Sequence, residues 1–229
     1  MKETHLAVLN ILKNNTDKGF LLDAAGGDGD FALRLRGLGY KAVLCDLYLP
    51  RDIIVPFVQA DMNNLLPFKA DGFDFITCME SLQYLENHKQ LFREFTRVLK
   101  ENGNLVVTMP NILNCASRLF FLRAGYFPSF KPFRKIKDGC EWDNIIYSPV
   151  SFIEVFQWLS CNGFKIETIE VSRYRYREWL LFLLLRGAYK LISVFKRNKR
   201  ENVLRDFLYS KELLLGDHLI IIARKLPPA

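Results

Sequence analysis

Three acids stand at matching places along this chain. Asp23 follows the apolar run Phe20-Leu21-Leu22, Asp46 follows Ala42 to Cys45, and Asp61 follows the run that begins at Ile54. Between the first two lies a glycine-rich turn, Ala24-Ala25-Gly26-Gly27-Asp28-Gly29, and Asp30-Phe31-Ala32-Leu33-Arg34-Leu35 then reads as a helix. Strand, glycine turn and helix start, in that order, let a backbone come close to a nucleotide, because Gly27 and Gly29 lack a Cβ and tolerate positive φ. Gly27-Asp28-Gly29-Asp30-Phe31-Ala32 also satisfies G-x-G-x-x-A, the dinucleotide fingerprint. That fingerprint seats a pyrophosphate on a helix N-terminus. Here Asp28 and Asp30 would repel it, and a cationic ligand suits the turn better. A nicotinamide-dependent dehydrogenase is disfavoured on that ground.

The elements that must hold these acids can be read from periodicity and breakers. Thr4 to Leu12 predicts a short leading helix, broken at Asn14 to Gly19. Strands are expected at Phe20–Leu22, Ala42–Cys45, Ile54–Val58, Phe73–Cys78 and Asn104–Met109. Pro56 places the third of these at an edge. Helices are expected at Asp30–Leu38, with Gly39 closing it, and at Lys89–Leu99, stopped by Glu101-Asn102-Gly103. Alternation of strand and helix predicts a mostly parallel sheet covered on both faces. After Pro110 the rhythm fails. Asn111 to Tyr147 reads as a lid or acceptor insertion, followed by a helix from Ser148-Pro149 to Cys161, a sixth strand Phe164–Val171, a helix Glu178–Arg197 and a last strand His218–Arg224.

Composition bounds the function. The 229 residues are 50% apolar and 25% charged, which suits one globular α/β domain. The expected organisation is a single domain over 1–229 with insertions at 111–147 and 173–217. Five cysteines (Cys45, Cys78, Cys115, Cys140, Cys161) are scattered without a C-x-x-C pair. That argues against a disulfide framework and a zinc site, so no metal is expected. Met1 to His5 lacks the apolar core of a signal peptide, and the apolar run Trp179 to Leu185 is too short to span a bilayer. A cytoplasmic location fits. The net charge of +7 concentrates at Arg173 to Arg177 and Lys196 to Arg200, which suits either an anionic partner or a solvated basic face.

The run Leu22-Asp23-Ala24-Ala25-Gly26-Gly27-Asp28-Gly29 resembles the first motif of the class I S-adenosylmethionine-dependent methyltransferases, of the type 11 kind, with Ala25 in place of the family's first glycine. The resemblance continues through Asp46, Ala60-Asp61-Met62, Leu66-Pro67-Phe68, Phe73-Asp74-Phe75-Ile76, the helix Arg93 to Leu99 and the run Gly103 to Pro110. It implies a Rossmann-like, doubly wound, seven-stranded, mostly parallel sheet with an antiparallel last strand. It implies S-adenosyl-L-methionine as cofactor. Asp23, Ala25, Gly27 and Gly29 would line the pocket for its methionine part. Asp46, with Leu47, would take the ribose hydroxyls. Asp61 would accept from the adenine amino group, Met62 would pack on the ring, and Met79 would flank the sulfonium.

Methyl transfer needs nucleophile, methyl and sulfur in line, and in some cases a base. Many relatives carry an acid and then a histidine after the fourth strand; here that stretch is Glu80-Ser81-Leu82-Gln83-Tyr84, with Tyr84 where the histidine often sits. Glu80, Tyr84 and His88 are therefore the catalytic candidates, Tyr147 is a lesser acceptor contact, and His5 and His218 read as remote and structural. The expected acceptor is a small molecule, a saccharide or a lipid-linked intermediate, with O-methylation favoured; Pro110 to Asn114 and Arg118 to Arg123 resemble insertions of relatives that act on glycans or lipid-linked substrates. The alternatives are a non-catalytic module that binds the cofactor or a partner, motivated by Tyr84, and an RNA methyltransferase, motivated by Arg173-Tyr174-Arg175-Tyr176-Arg177 but disfavoured because strand ends alternate in the same way. In the helix Glu178–Arg197, Arg186, Lys190, Ser193 and Arg197 share one side, with leucines over much of the rest. It can lie peripherally on an anionic membrane surface or pack on its own sheet.

Overall fold

The structure, a computed structural model, describes residues 2–52, 55–130, 148–193 and 199–227. Seven strands form one sheet in the order β3-β2-β1-β4-β5-β7-β6. They are β1 Phe20–Ala24, β2 Lys41–Asp46, β3 Phe57–Gln59, β4 Phe73–Met79, β5 Leu99–Pro110, β6 Phe164–Val171 and β7 His218–Lys225. The first five in sequence pair in parallel, while β7 runs antiparallel between β5 and β6. The sheet is thus the one the sequence leads to, mostly parallel with a reversed last strand.

Both faces of the sheet are buried, which is why β1 reads as a continuous apolar run rather than an alternating one. Leu22, Ile76 and Leu105 face a core built with Phe92 and Phe95 of α3 (His88–Val98) and Phe152 and Leu159 of α5 (Phe152–Cys161). Leu21, Phe75 and Val106 face the other core, with Val8 and Leu12 of α1 (Glu3–Lys13) and Phe31 and Leu35 of α2 (Asp30–Gly37). The spacing of these apolar residues gives each helix the single buried stripe that seats it.

Several boundaries differ from the sequence reading for local reasons. The third strand begins after Pro56 rather than before it, since proline lacks the donor, although its carbonyl still accepts from the Leu44 amide. Ile54 lies outside the described residues. α3 stops at Val98 and the chain passes straight into β5, whose pairing to β4 slips between Leu99 and Asn104; the Glu101-Asn102-Gly103 breaker therefore kinks a strand instead of ending a helix. α5 starts at Phe152, not Ser148, because Ser151 and Glu154 form a reciprocal capping box.

The segment after Pro110 holds a helix the periodicity did not suggest, α4 (Cys115–Ala124). Asn114 accepts from the Ser117 amide at its start and Gly125 takes φ +76 at its end. Residues 131–147, including Tyr147, lie outside the described residues. The expected helix 178–197 is α6 (Trp179–Ser193), entered by a 3-10 turn at Tyr176–Glu178, with 194–198 outside the description. Two more helices, α7 (Lys199–Leu208) and α8 (Lys211–Leu215), precede β7.

Pro110 to Asn114 has a clear structural task. The Asn111 side-chain amide donates to the carbonyls of Leu213 and Gly216 at 2.9 Å each, and that of Asn114 donates to the carbonyls of Asn111 (2.7 Å) and Gly216 (3.1 Å). These bonds tie the end of β5 to the end of α8. Asn111→Ala strands buried carbonyls and is expected to lower stability by about 2 kcal/mol. Chemical denaturation measures this; a change under about 0.5 kcal/mol would show that the clamp is dispensable.

Candidate functional site

The C-terminal ends of β1, β2, β3 and β4 converge on a cavity of about 600 Å³, large enough for a nucleotide-sized ligand. β1 is central in this half of the sheet, so the turn after it stands between the acids at the ends of its neighbours.

Asp23 lies at the base of the cavity, fully buried. Its Oδ1 accepts from the Thr77 hydroxyl on β4 at 2.8 Å, and its Oδ2 has no hydrogen-bond partner among the described residues. Burial pushes its pKa up to about 7; the Thr77 hydrogen bond opposes the shift, and the charges of Asp46 and Asp28 add to it. A buried carboxylate that lines a cavity and keeps one oxygen unpartnered is the fitting acceptor for a ligand ammonium group.

The turn explains its glycines one at a time. A Cβ on Gly26 would collide with the Asp23 carboxylate and with Leu44, so only glycine lets the turn fold over Asp23. Gly27 takes φ +62 with open space where a Cβ would be, facing the cavity. Gly29, at φ +80, precedes α2 and does not line the cavity; it shapes the turn from behind. Ala25 adopts the same left-handed region at φ +56, the local strain of a non-glycine residue in a glycine position.

Asp46 holds the turn from β2. Its Oδ2 accepts from the Gly27 amide at 2.9 Å and its Oδ1 from the Tyr48 amide at 3.1 Å. Each oxygen keeps a free lone pair, so a diol can still be accepted. Burial raises its pKa, while backbone hydrogen bonds from Gly27 and Leu47 oppose the rise. Asp61 closes an Asx turn, accepting from the Asn63 amide and the Asn64 side chain at 2.9 Å each, and also borders the cavity. Leu47 and Met62 border the same end, and Met79 the floor. Asn63 Oδ1 accepts from the amides of Glu86 and Asn87 and so joins this loop to the start of α3. Cys45 and Cys78, beneath the floor, are held at about 12 by burial, so neither is a thiolate nucleophile.

The other end of the cavity belongs to Glu80. Its backbone is left-handed at φ +52 and is fixed by its own amide donating to Thr108 Oγ1 (3.0 Å) and by Gln83 donating to its carbonyl (2.7 Å). Thr108 donates to Oε1 at 3.1 Å. His218 Nε2 stands 3.6 Å from Oε2, and His218 Nδ1 stands 3.8 Å from Asp217, itself held by Arg173 (2.8 Å) and Arg175 (3.2 Å). Burial raises the Glu80 pKa, while His218 and then the Thr108 hydrogen bond oppose the rise.

Three expectations change here. His218 is not remote: β7 returns antiparallel beside β5 and sets its first residue beside Glu80. His5 on α1 borders the cavity against Phe31, and burial lowers its pKa. His88 is excluded from the cavity; its Nε2 is bonded to the Leu82 carbonyl at 2.8 Å and its ring stacks on Trp158 at 4.5 Å. Tyr84 does border the cavity. Ser81, within the stretch Glu80 to Tyr84, borders the cavity too; sequence reasoning missed Lys2 and Glu86 in the lining, because neither sits in a motif. The Arg-Tyr alternation at 173–177 is spent on Asp217 and on a β-bridge from Tyr174 to Gly216.

Residues 22–107 match a family described as the methyltransferase domain. A ubiquinone/menaquinone biosynthesis C-methyltransferase of Nitrobacter hamburgensis is 31% identical over 121 residues, 46% of this chain and 47% of that protein; the chain thus spans about half the length of this curated relative. A ubiquinone biosynthesis O-methyltransferase of Xanthomonas axonopodis pv. citri is 24% identical over 170 residues, 69% of this chain and 67% of that one. The structure of a Burkholderia thailandensis 1,6-didemethyltoxoflavin-N1-methyltransferase, solved with its acceptor and S-adenosylhomocysteine, shares the fold with a TM-score of 0.57 at 12% identity, over 97% of this chain and 78% of that one.

Asp23 yields a signed prediction. A cationic ligand favours its ionised form, so binding below its pKa of about 7 must expel a proton. Affinity for S-adenosylhomocysteine is expected to rise with pH between about 6 and 8, with close to one proton released at about pH 6. In the absence of ligand the sign reverses: the raised pKa makes this group's contribution to stability fall as pH climbs from about 4 to 7. Calorimetry in buffers of different ionisation heat measures the proton; equal release by Asp23→Asn would assign it elsewhere.

Proposed function

We propose that this chain, a member of the class I S-adenosylmethionine-dependent methyltransferase family, transfers a methyl group to a small-molecule, saccharide or lipid-linked acceptor, with O-methylation favoured. The observation that carries the reading is buried Asp23, with one carboxylate oxygen unpartnered among the described residues, lining a cavity that Asp46 and Asp61 also border. An ammonium, a ribose diol and an adenine amino group are the donors such a line of acceptors would take.

In this reading Asp23 binds the amino group of the methionine part, while Ala25 and Gly27 let the backbone come close. Asp46 accepts the ribose hydroxyls beside Leu47. Asp61 accepts from the adenine amino group, and Met62 covers the ring. Met79 borders the reacting end, and Gly29 acts only through the shape of the turn. When bound, S-adenosylmethionine supplies an electrophilic methyl on a cationic sulfur.

The acceptor's proton is the remaining task. Glu80 is the base we assign, because it borders the cavity and burial raises its proton affinity. His218 stands at the Glu80 oxygen that Thr108 does not bond and opposes the rise in its proton affinity, with Asp217 beside the other imidazole nitrogen. Tyr84 borders the acceptor side, where a phenol can position a hydroxyl or a ring. The quinone-pathway names of the relatives support an aromatic or lipid-like acceptor.

Glu80→Gln is expected to lower kcat about 10²- to 10⁴-fold with S-adenosylhomocysteine affinity kept. Activity is expected to rise with pH through the raised pKa of Glu80, and that limb should vanish in Glu80→Gln. His218→Ala removes the opposing positive charge and should move the limb upward. Release of S-adenosylhomocysteine from a panel of phenolic and saccharide acceptors measures all three. Absence of S-adenosylmethionine binding, or binding unchanged in Asp46→Ala, would overturn the reading, and binding without turnover would favour a non-catalytic module.

A further inference from the structure

α4 and α6 leave an apolar surface that the rest of the protein does not cover. On α6, Leu180 (77% exposed), Leu184 (70%) and Leu191 (72%) recur at helical spacing, while Phe182 points the other way into a small core with Cys115 of α4 and Leu214 and Leu215 of α8. On α4, Leu122 is 81% exposed, and Phe121 and Leu119 are exposed beside it. Both helices pack on α8, so their bare faces belong to one unit. Soluble surfaces rarely carry so many clustered leucines without a partner.

Charge identifies the partner. Residues 111–130 contain Arg118 and Arg123 and no acid; residues 173–200 contain nine Lys and Arg against one acid, Glu178, and two of the nine, Arg173 and Arg175, are paired with Asp217. Arg123 and Arg186 lie over the rings of Phe120 and Phe182, and neither they nor Arg177 forms an ion pair among the described residues. A second copy of the chain would bring these like charges together, whereas an anionic lipid surface neutralises them while the leucines enter the acyl boundary. No helix among the described residues is long and apolar enough to cross a membrane, so a helix of this kind would lie in the plane of the interface.

We infer that the α4–α6 face docks this protein onto an anionic phospholipid bilayer. The unit is tied to the sheet at the edge where Glu80 stands: Asn111 continues from β5 into α4, and Asp217, beside His218, holds Arg173 and Arg175 just ahead of α6. Docking there sets the acceptor side of the cavity near the lipid, where a lipid-linked hydroxyl would be presented; this last step rests on the methyltransferase reading, and the docking itself does not.

Sedimentation of the full chain tests the inference, using phosphatidylcholine vesicles with and without about a third phosphatidylglycerol. Binding is expected to the anionic vesicles, with loss at about 0.5 M salt. Leu180→Ser combined with Leu184→Ser should lower the partition coefficient about tenfold or more. Arg177→Gln and Arg186→Gln should each lower it about fivefold on anionic vesicles and leave neutral ones unaffected. Because these side chains are exposed, S-adenosylhomocysteine affinity and melting temperature should match the wild type, which separates lost docking from lost folding. Failure to sediment with anionic vesicles, or equal binding by the leucine variant, would overturn the inference. So would a dimer in light scattering that Leu184→Ser dissolves. Failure of wild-type S-adenosylhomocysteine binding would instead sink the catalytic reading and leave the vesicle result standing.

Discussion

Asp23 closes β1 with one oxygen on Thr77 and the other free, beneath a turn that can lie over it only because position 26 has no side chain. A buried carboxylate in that state is costly while empty, and burial holds its pKa near 7. Much of the surrounding design manages that cost. Thr77 supplies one donor from the neighbouring strand, Asp46 reaches across to fix the Gly27 amide, and Ala25 accepts a left-handed backbone so that the turn can be made. The folded protein thus stores an unmet interaction at the point where a cation would meet it.

The second node, Glu80, is built differently. It too carries a left-handed backbone, but the forces that hold it come from two strands and the 3-10 turn Leu82–Tyr84 after β4: Thr108 of β5, His218 at the start of β7, and Gln83 of the turn. Tyr84 stands four residues after Glu80, and the imidazole beside the acid comes from the far end of the chain. The reversed direction of β7 makes this possible, since an antiparallel strand begins at the same sheet edge where the parallel strands end.

That edge also links the site to the C-terminal helices. Asn111 and Asn114 clamp the carbonyls at 213 and 216, and Asp217 gathers Arg173 and Arg175. The glycine turn and the C-terminal helices are therefore joined to the same end of the sheet, where the parallel strands finish.

Much of this protein was legible in its sequence. The parallel sheet, the order of strand and helix through Pro110, the acids at 23, 46 and 61, and the small residues between them are all local: a strand end, a turn or a helix start depends on residues a few positions apart. His88 could not be judged that way, because its exclusion depends on Trp158 and the Leu82 carbonyl. Neither could the helix α4, whose caps were visible at Asn114 and Gly125 but whose apolar face had no period to announce it. The pairing of His218 with Glu80 needed the sheet to close, since only the antiparallel return of β7 brings the two together. What the sequence determined alone was the glycine turn and the acids that flank it, because a strand end and a turn are set by residues a few positions apart. What the tertiary structure decided was the setting of Glu80, where Thr108 and His218 reach it from distant parts of the chain.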